Sequence, residues 1–263
     1  MIPNPSDYLT LSLFGIVSGL LAGILGIGGG VILVPFIKAL GYSPVQAVAT
    51  SSFAIIMTSV SGSWQNWRMG NLNLKRVFGL ALPSIFTAQI GAFFANYVAP
   101  EILLVSFSLF LLLNIFLSRF KKSVINKAIA REPERDKSSV TMKPWWARII
   151  TGGITGLLAG FFGIGGGIVL VPLQIILLQT AIKKAIQISL GVIVITSISA
   201  CIQHSLQGNI LFLEGFFLGL GGLIGAQIST RFLPRLSDKV VTFCFNLMLA
   251  ILSVYVMYQA FNS

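Results

Sequence analysis

The sequence G-I-G-G-G occurs twice, at 26–30 and 163–167, each time inside a long apolar segment and followed by a proline, Pro35 or Pro172. Glycine can offer only backbone chemistry. Each glycine costs a helix about 0.5–1 kcal/mol relative to alanine, so a run of them breaks it. A helix that restarts after such a break presents its first N–H groups without intrahelical partners. It also carries about half a positive charge at that end. Together these features make a binding site for a small anion that needs no formally charged side chain. Gly26, Gly28, Gly29 and Gly30, with Gly163, Gly165, Gly166 and Gly167, are therefore the first candidate substrate-binding residues. Hydrogen-bond donors follow in the next apolar span of each copy. Thr50, Ser51 and Ser189 begin the helix beside the break, and Gln65 and Gln203 lie further along it. The recurring Thr-Ser-x-Ser at 58–61 and 196–199 adds hydroxyls, although serine and threonine in membrane helices often bond back to their own backbone.

These residues need elements that carry them into an apolar medium, and the composition supplies them. The 263-residue chain is 55% hydrophobic and 10% charged, with a mean hydropathy of +0.90. A soluble domain carries about 25% charged residues. Backbone polar groups in lipid must be satisfied internally, and the apolar runs are too long for barrel strands. The expected fold is an all-α polytopic membrane protein.

The net charge of +11 does not imply nucleic acid. Nine of the eighteen Lys and Arg residues fall between Arg119 and Arg148, the pattern of a cytoplasmic loop. No nucleophile–base constellation or metal cluster is present, so an enzyme, a metal site and a cofactor are not expected. All seven carboxylates lie at span ends or in loops, so no acidic proton relay crosses the membrane. Cys201 and Cys244 read as small apolar residues. The single histidine, His204, reads as an interfacial residue, with proton carriage the alternative.

The chain is duplicated. Residues 19–35 and 156–172 agree at 13 of 17 positions, 58–72 resembles 196–210, and 90–100 resembles 224–234. The first unit, 1–118, holds the broken segment 9–40 and spans at 45–67, 76–97 and 102–118. A basic cytoplasmic linker, 119–148, leads to the second unit, 149–263, with the broken segment 149–179 and spans at 185–206, 212–233 and 240–261. If each broken segment crosses the membrane, 12 basic residues fall inside and 6 outside. If each is a re-entrant helical hairpin, 17 fall inside and only Lys38 outside. The charge bias of short loops favours the hairpins. One hairpin and three crossings is an odd number, so the expectation is two inverted repeats with both termini outside. Their glycine tips would meet near mid-membrane.

The paired G-x-GGG-x-x-x-V-P phrases, Gly26 to Pro35 and Gly163 to Pro172, resemble those of the TauE/SafE sulfite exporter family. The likeness runs from Leu9 to about Tyr258. It includes a Thr-Ser pair after the first break, here Thr50 and Ser51, which the second copy replaces with Ile188 and Ser189. The resemblance implies a transporter of the bacterial inner membrane that moves sulfite, a sulfonate or a similar sulfur oxyanion. Its partners would be that anion and the lipid bilayer. Export down the membrane potential would be favoured by about 2.3 kcal/mol per charge per 100 mV. The competing expectation is a transporter of another solute, coupled to Na⁺ through carbonyls at the helix breaks.

Overall fold

A computed structural model describes residues 5–129 and 144–261, with side chains over 8–114 and 145–259. The described residues form ten α-helices and no strand. The first unit contains α1 (Pro5–Leu25), α2 (Gly30–Ala39), α3 (Pro44–Arg68), α4 (Leu74–Ala95) and α5 (Pro100–Ile129). The second contains α6 (Pro144–Phe162), α7 (Gly167–Leu177), α8 (Ile182–Leu206), α9 (Phe212–Phe232) and α10 (Asp238–Phe261), with a 3₁₀ turn, Leu233–Arg235, after α9. Six of the helices are long and apolar enough to cross a membrane: α1, α3, α4, α8, α9 and α10. α5 continues as helix past 118, the end expected for its span, and α6 starts before 149. Residues 130–143 of the linker lie outside the described residues.

Local chemistry sets the helix starts. Ser43 and Gln46 form a capping box before α3, with Pro44 at its first turn. Asn73 caps α4 by accepting from the Arg76 amide at 3.1 Å. The short helices α2 and α7 have no side-chain cap. Each begins after a left-handed glycine, Gly29 at φ 92° and Gly166 at φ 84°.

Packing runs mostly between the units, and each of the main pairings has its counterpart. α1 packs on α9 as α6 packs on α4, and α3 packs on α9 as α8 packs on α4. α3 meets α8, and α5 meets α10. This reciprocity is that of a two-fold, isologous arrangement. Glycine makes the closest pairs possible. A Cβ at Gly15, Gly19 or Gly23 of α1 would strike Leu218 O, Gly222 O or Ser229 Oγ of α9 at 2.0–2.2 Å. In the other copy, a Cβ at Gly152 or Gly160 of α6 would strike Leu80 O or Ala88 O of α4 equally closely, and one at Gly156 would strike Thr87 Oγ1 and Ser84 O at 2.3 and 2.4 Å. Such small-residue faces let transmembrane backbones approach.

The numbers rise together on both partners, so α1 runs parallel to α9 and α6 runs parallel to α4. α3 also runs parallel to α9. Gly215 meets Thr50 and Phe53, Gly219 meets Met57, and Ser61 Oγ donates to Leu223 O at 2.7 Å. The same bond recurs from Ser199 to Ile85 O at 2.6 Å.

These contacts fix which positions correspond, and they correct one sequence match. Ser61 and Ser199, and Leu223 and Ile85, correspond at a spacing of 138. Residues 90–100 are therefore not the spatial equivalents of 224–234 but lie one helical turn away from them. Small residues every four positions on α4 and α9 make that slip nearly silent in the sequence.

The innermost side chains surround the glycine loops. Leu25, Ile27, Val31, Ile164 and Ile168 are fully buried. Leu13, Phe86, Ile224 and Phe243 are exposed on outer helix faces, as expected where lipid replaces water.

Candidate functional site

The two glycine loops meet. In the first, Gly26, Gly28 and Gly29 have φ of 68°, 73° and 92°; in the second, Gly163, Gly165 and Gly166 have φ of 65°, 69° and 84°. A left-handed backbone of this kind favours glycine. All ten residues of the two loops are buried. A Cβ on Gly30 would lie 2.5 Å from Gly163 O and 2.7 Å from Ile164 Cα. One on Gly167 would lie 2.2 Å from Gly26 O and 2.5 Å from Ile27 Cα. The tips are thus in backbone-to-backbone contact. Ile55 of α3 and Ile193 of α8, close to the midpoints of those helices, flank both Gly28 and Gly165.

A reciprocal pair of serines clamps this crossing. Ser51 Oγ of the first unit donates to Gly163 O of the second. Ser189 Oγ of the second donates to Gly26 O of the first at 2.6 Å, sharing its proton with Ile186 O at 2.9 Å. The side chains expected to face a substrate therefore serve, in this state, to hold one loop against the other unit. Thr50 Oγ1 accepts from the Leu211 amide at 3.0 Å and ties α3 to the start of α9. Gln65 Oε1 accepts from Gln227 Nε2 at 2.8 Å, and Gln227 Oε1 accepts from Ser61. Gln65 and Gln203 each lie ten residues beyond Ile55 and Ile193, about 15 Å along the helix at 1.5 Å per residue. The fold gathers the eight glycines with Ser51 and Ser189, and leaves Gln65 and Gln203 toward the helix ends.

The crossing also has donors that are not spent. Ser197 and Thr155 have buried hydroxyls with no hydrogen-bond partner, as does Ser59, the counterpart of Ser197 on α3. Ser197 Oγ lies 3.4 Å from where a Cβ on Gly165 would stand, and Thr155 lies against Gly166. In the first copy the equivalent of Thr155 is Ser18, whose Oγ donates to Gly29 O at 3.0 Å. Ser18 and Thr155 escaped the sequence reading, although each directly precedes a G-L-L-A-G run. Those two matching positions were the available signal. Further from the crossing, His204 Nε2 lies 3.1 Å from Gly160 O while its Nδ1 is buried without a partner. Asn66, its counterpart, is buried with both amide atoms unpartnered. Among the described residues no group of His, Cys, Asp and Glu could hold a metal ion.

A bundle of membrane-length helices around paired, buried helix breaks is the build of a multi-pass membrane transporter. The model of the sulfite exporter TauE/SafE family matches residues 11–256, and the chain belongs to that family. It is 32% identical over 219 residues to a probable membrane transporter protein of Methanocaldococcus jannaschii, covering 80% of this chain and 76% of that one. It is 25% identical to the probable membrane transporter protein YunE of Bacillus subtilis over 98% of this chain and all of that one. A sulfite exporter TauE/SafE family protein 6 of Arabidopsis thaliana is 30% identical over 103 residues, 39% of this chain and 24% of that one. No solved structure matches the chain.

Proposed function

We propose that this transporter exports a small sulfur-containing oxyanion, such as sulfite or a sulfonate, across the inner membrane, and that the anion binds at the crossing of the two glycine loops. The observation that carries this reading is the pair of uncapped helix starts at Gly30 and Gly167, which meet in the interior beside buried, unspent hydroxyls. Helix N-termini favour anions, and Ser59, Ser197 and Thr155 are donors that an oxyanion would satisfy. An unpartnered buried hydroxyl costs about 1–3 kcal/mol, which a ligand can recover. Ser51 and Ser189 then set the distance between the two loops.

Each glycine-broken segment is a re-entrant hairpin in this reading, and the units are inverted in the membrane. Two observations support it. α1 and α3 both run parallel to α9, so the chain must turn back between them, and α2 is that return. In addition, hairpins leave 17 of the 18 basic residues on one face. The 119–148 linker is then cytoplasmic and both termini are outside. Topology reporters checked at both places should read a cytoplasmic linker and an external Ser263. A cytoplasmic Ser263 would overturn the inversion.

The transport test uses the full chain in liposomes loaded with labelled sulfite and an imposed potassium-diffusion potential. Efflux should rise as the compartment holding the anion becomes more negative. Ser197→Ala should raise the sulfite KM roughly tenfold, the loss of one hydrogen bond to a charged group at about 1.5 kcal/mol or more. The melting temperature should not fall, because Ser197 Oγ has no protein partner to lose. Sulfite flux indifferent to potential, or an unchanged KM in Ser197→Ala, would remove this reading.

A further inference from the structure

The two units match each other at the loops and differ at their outer ends. A cavity of about 170 Å³ opens where α4, α6 and the end of α7 meet, with Arg76, Arg148, Gln174 and Thr180 as its polar lining. The chain makes room for one of these arginines: a Cβ at Gly79 of α4 would touch Arg148 Cδ at 3.5 Å and Nη1 at 3.7 Å. Arg148 thus lies across α4 and beside the cavity. Neither arginine has a carboxylate partner among the described residues, where the ion pair present is Lys183–Asp238 at 3.9 Å. Gln174, buried, is oriented by its own bond to Ala185 O at 3.3 Å.

The equivalent place at the other end is built differently. Glu214 stands where Arg76 does, Tyr42 where Thr180 does, Leu11 where Arg148 does and Phe217 where Gly79 does. There Tyr42 Oη donates to Glu214 Oε1 at 2.8 Å, Leu11 is buried, and Phe217 stacks on Tyr8 with ring centroids 4.5 Å apart. One end of the molecule therefore holds two guanidinium forks over open space, and the other holds a carboxylate over packed rings.

We infer that the Arg76–Arg148 cavity is a binding site for a small oxyanion and forms the inlet of the transporter, with the Glu214 end as its outlet. Guanidinium groups match oxyanion geometry with paired N–H donors and cannot be deprotonated. The cavity is well below the ~300–1,000 Å³ of drug-sized sites, which restricts the ligand to a few heavy atoms. A carboxylate at the far end disfavours binding of the same anion there, so the anion-binding end is that of Arg76 and Arg148. The role as inlet rests on the export reading above; the affinity for an oxyanion does not.

The test is calorimetric titration of sulfate into the full chain in nanodiscs of phosphatidylcholine alone. Arg76→Gln with Arg148→Gln should raise the sulfate Kd at least tenfold. Lys184→Gln, which removes one charge from the same end outside the cavity, should change it less than twofold. An unchanged Kd in the double variant, or an equal loss in Lys184→Gln, would overturn the site. If the double variant does not fold, Arg76→Gln alone must still weaken binding at least threefold, since its side chain is exposed. The other source of such an oxyanion is a lipid headgroup. No sulfate binding in phosphatidylcholine, with phosphatidylglycerol retained by the native chain and lost by the variant, would overturn the soluble ligand in favour of that headgroup. Arginine-dependent sulfate binding without sulfite flux would retain this site and remove the proposed function, and flux with an arginine-independent Kd would do the reverse.

Discussion

Gly163→Ala should destabilise the protein by about 2–5 kcal/mol, the largest single effect expected from adding one methyl group. Two costs combine. The backbone at φ 65° is left-handed, which costs a residue with a Cβ about 1–2 kcal/mol. The new Cβ would also lie 2.3 Å from Val48 O and 2.7 Å from Val48 Cα, both backbone atoms. Overpacking of that kind costs about 1–3 kcal/mol. The control is Gly70→Ala, whose φ is 70° but whose Cβ would meet nothing within 4 Å. It carries the first cost alone. Thermal unfolding of the purified chain in detergent separates the two, and equal losses in both variants would show that the loop crossing is not tightly packed.

The second large effect is that of Ser51→Ala combined with Ser189→Ala. Each change deletes the hydroxyl that crosses from one unit to a loop carbonyl of the other. Interhelical hydrogen bonds in membranes average about 0.6 kcal/mol, with a maximum near 1.7. These belong at the upper end, because Gly163 O and Gly26 O are buried and would lose their partners. The expected loss is about 1–2 kcal/mol for each, and the loss for the pair should depart from their sum by about 0.5 kcal/mol or more. Because both serines grip one crossing, their effects should couple in a double-mutant cycle. Strictly additive, small losses would mean that the two clamps act independently.

The glycine loops themselves were readable from the sequence, because repetition marks them twice over and four glycines in five residues break a helix. The helix order was readable for the same reason. The partners of Ser51 and Ser189 were not. Nothing in the local sequence shows that a hydroxyl at 51 will find the carbonyl of residue 163, since that contact exists only once the units interlock. Gln65 and Gln203 were placed with the site because they share its helices. The crossing falls at Ile55 and Ile193, a depth that no hydropathy pattern encodes. The charge inversion between Arg76 and Glu214 was in the sequence, but it acquires meaning only once Gly79 and Phe217 are seen to leave one end open and the other filled.

The preference of each helix for a partner in the other unit also bears on how the chain is made. α1 ends at Leu25, and its main partner, α9, does not begin until Phe212. At translation rates of about 5–20 residues per second, α1 waits on the order of ten to forty seconds in the membrane before its glycine face is covered. During that time the insertion machinery and the surrounding lipid, rather than the protein itself, hold the first helix in place. Assembly becomes possible only when the ribosome has passed α9.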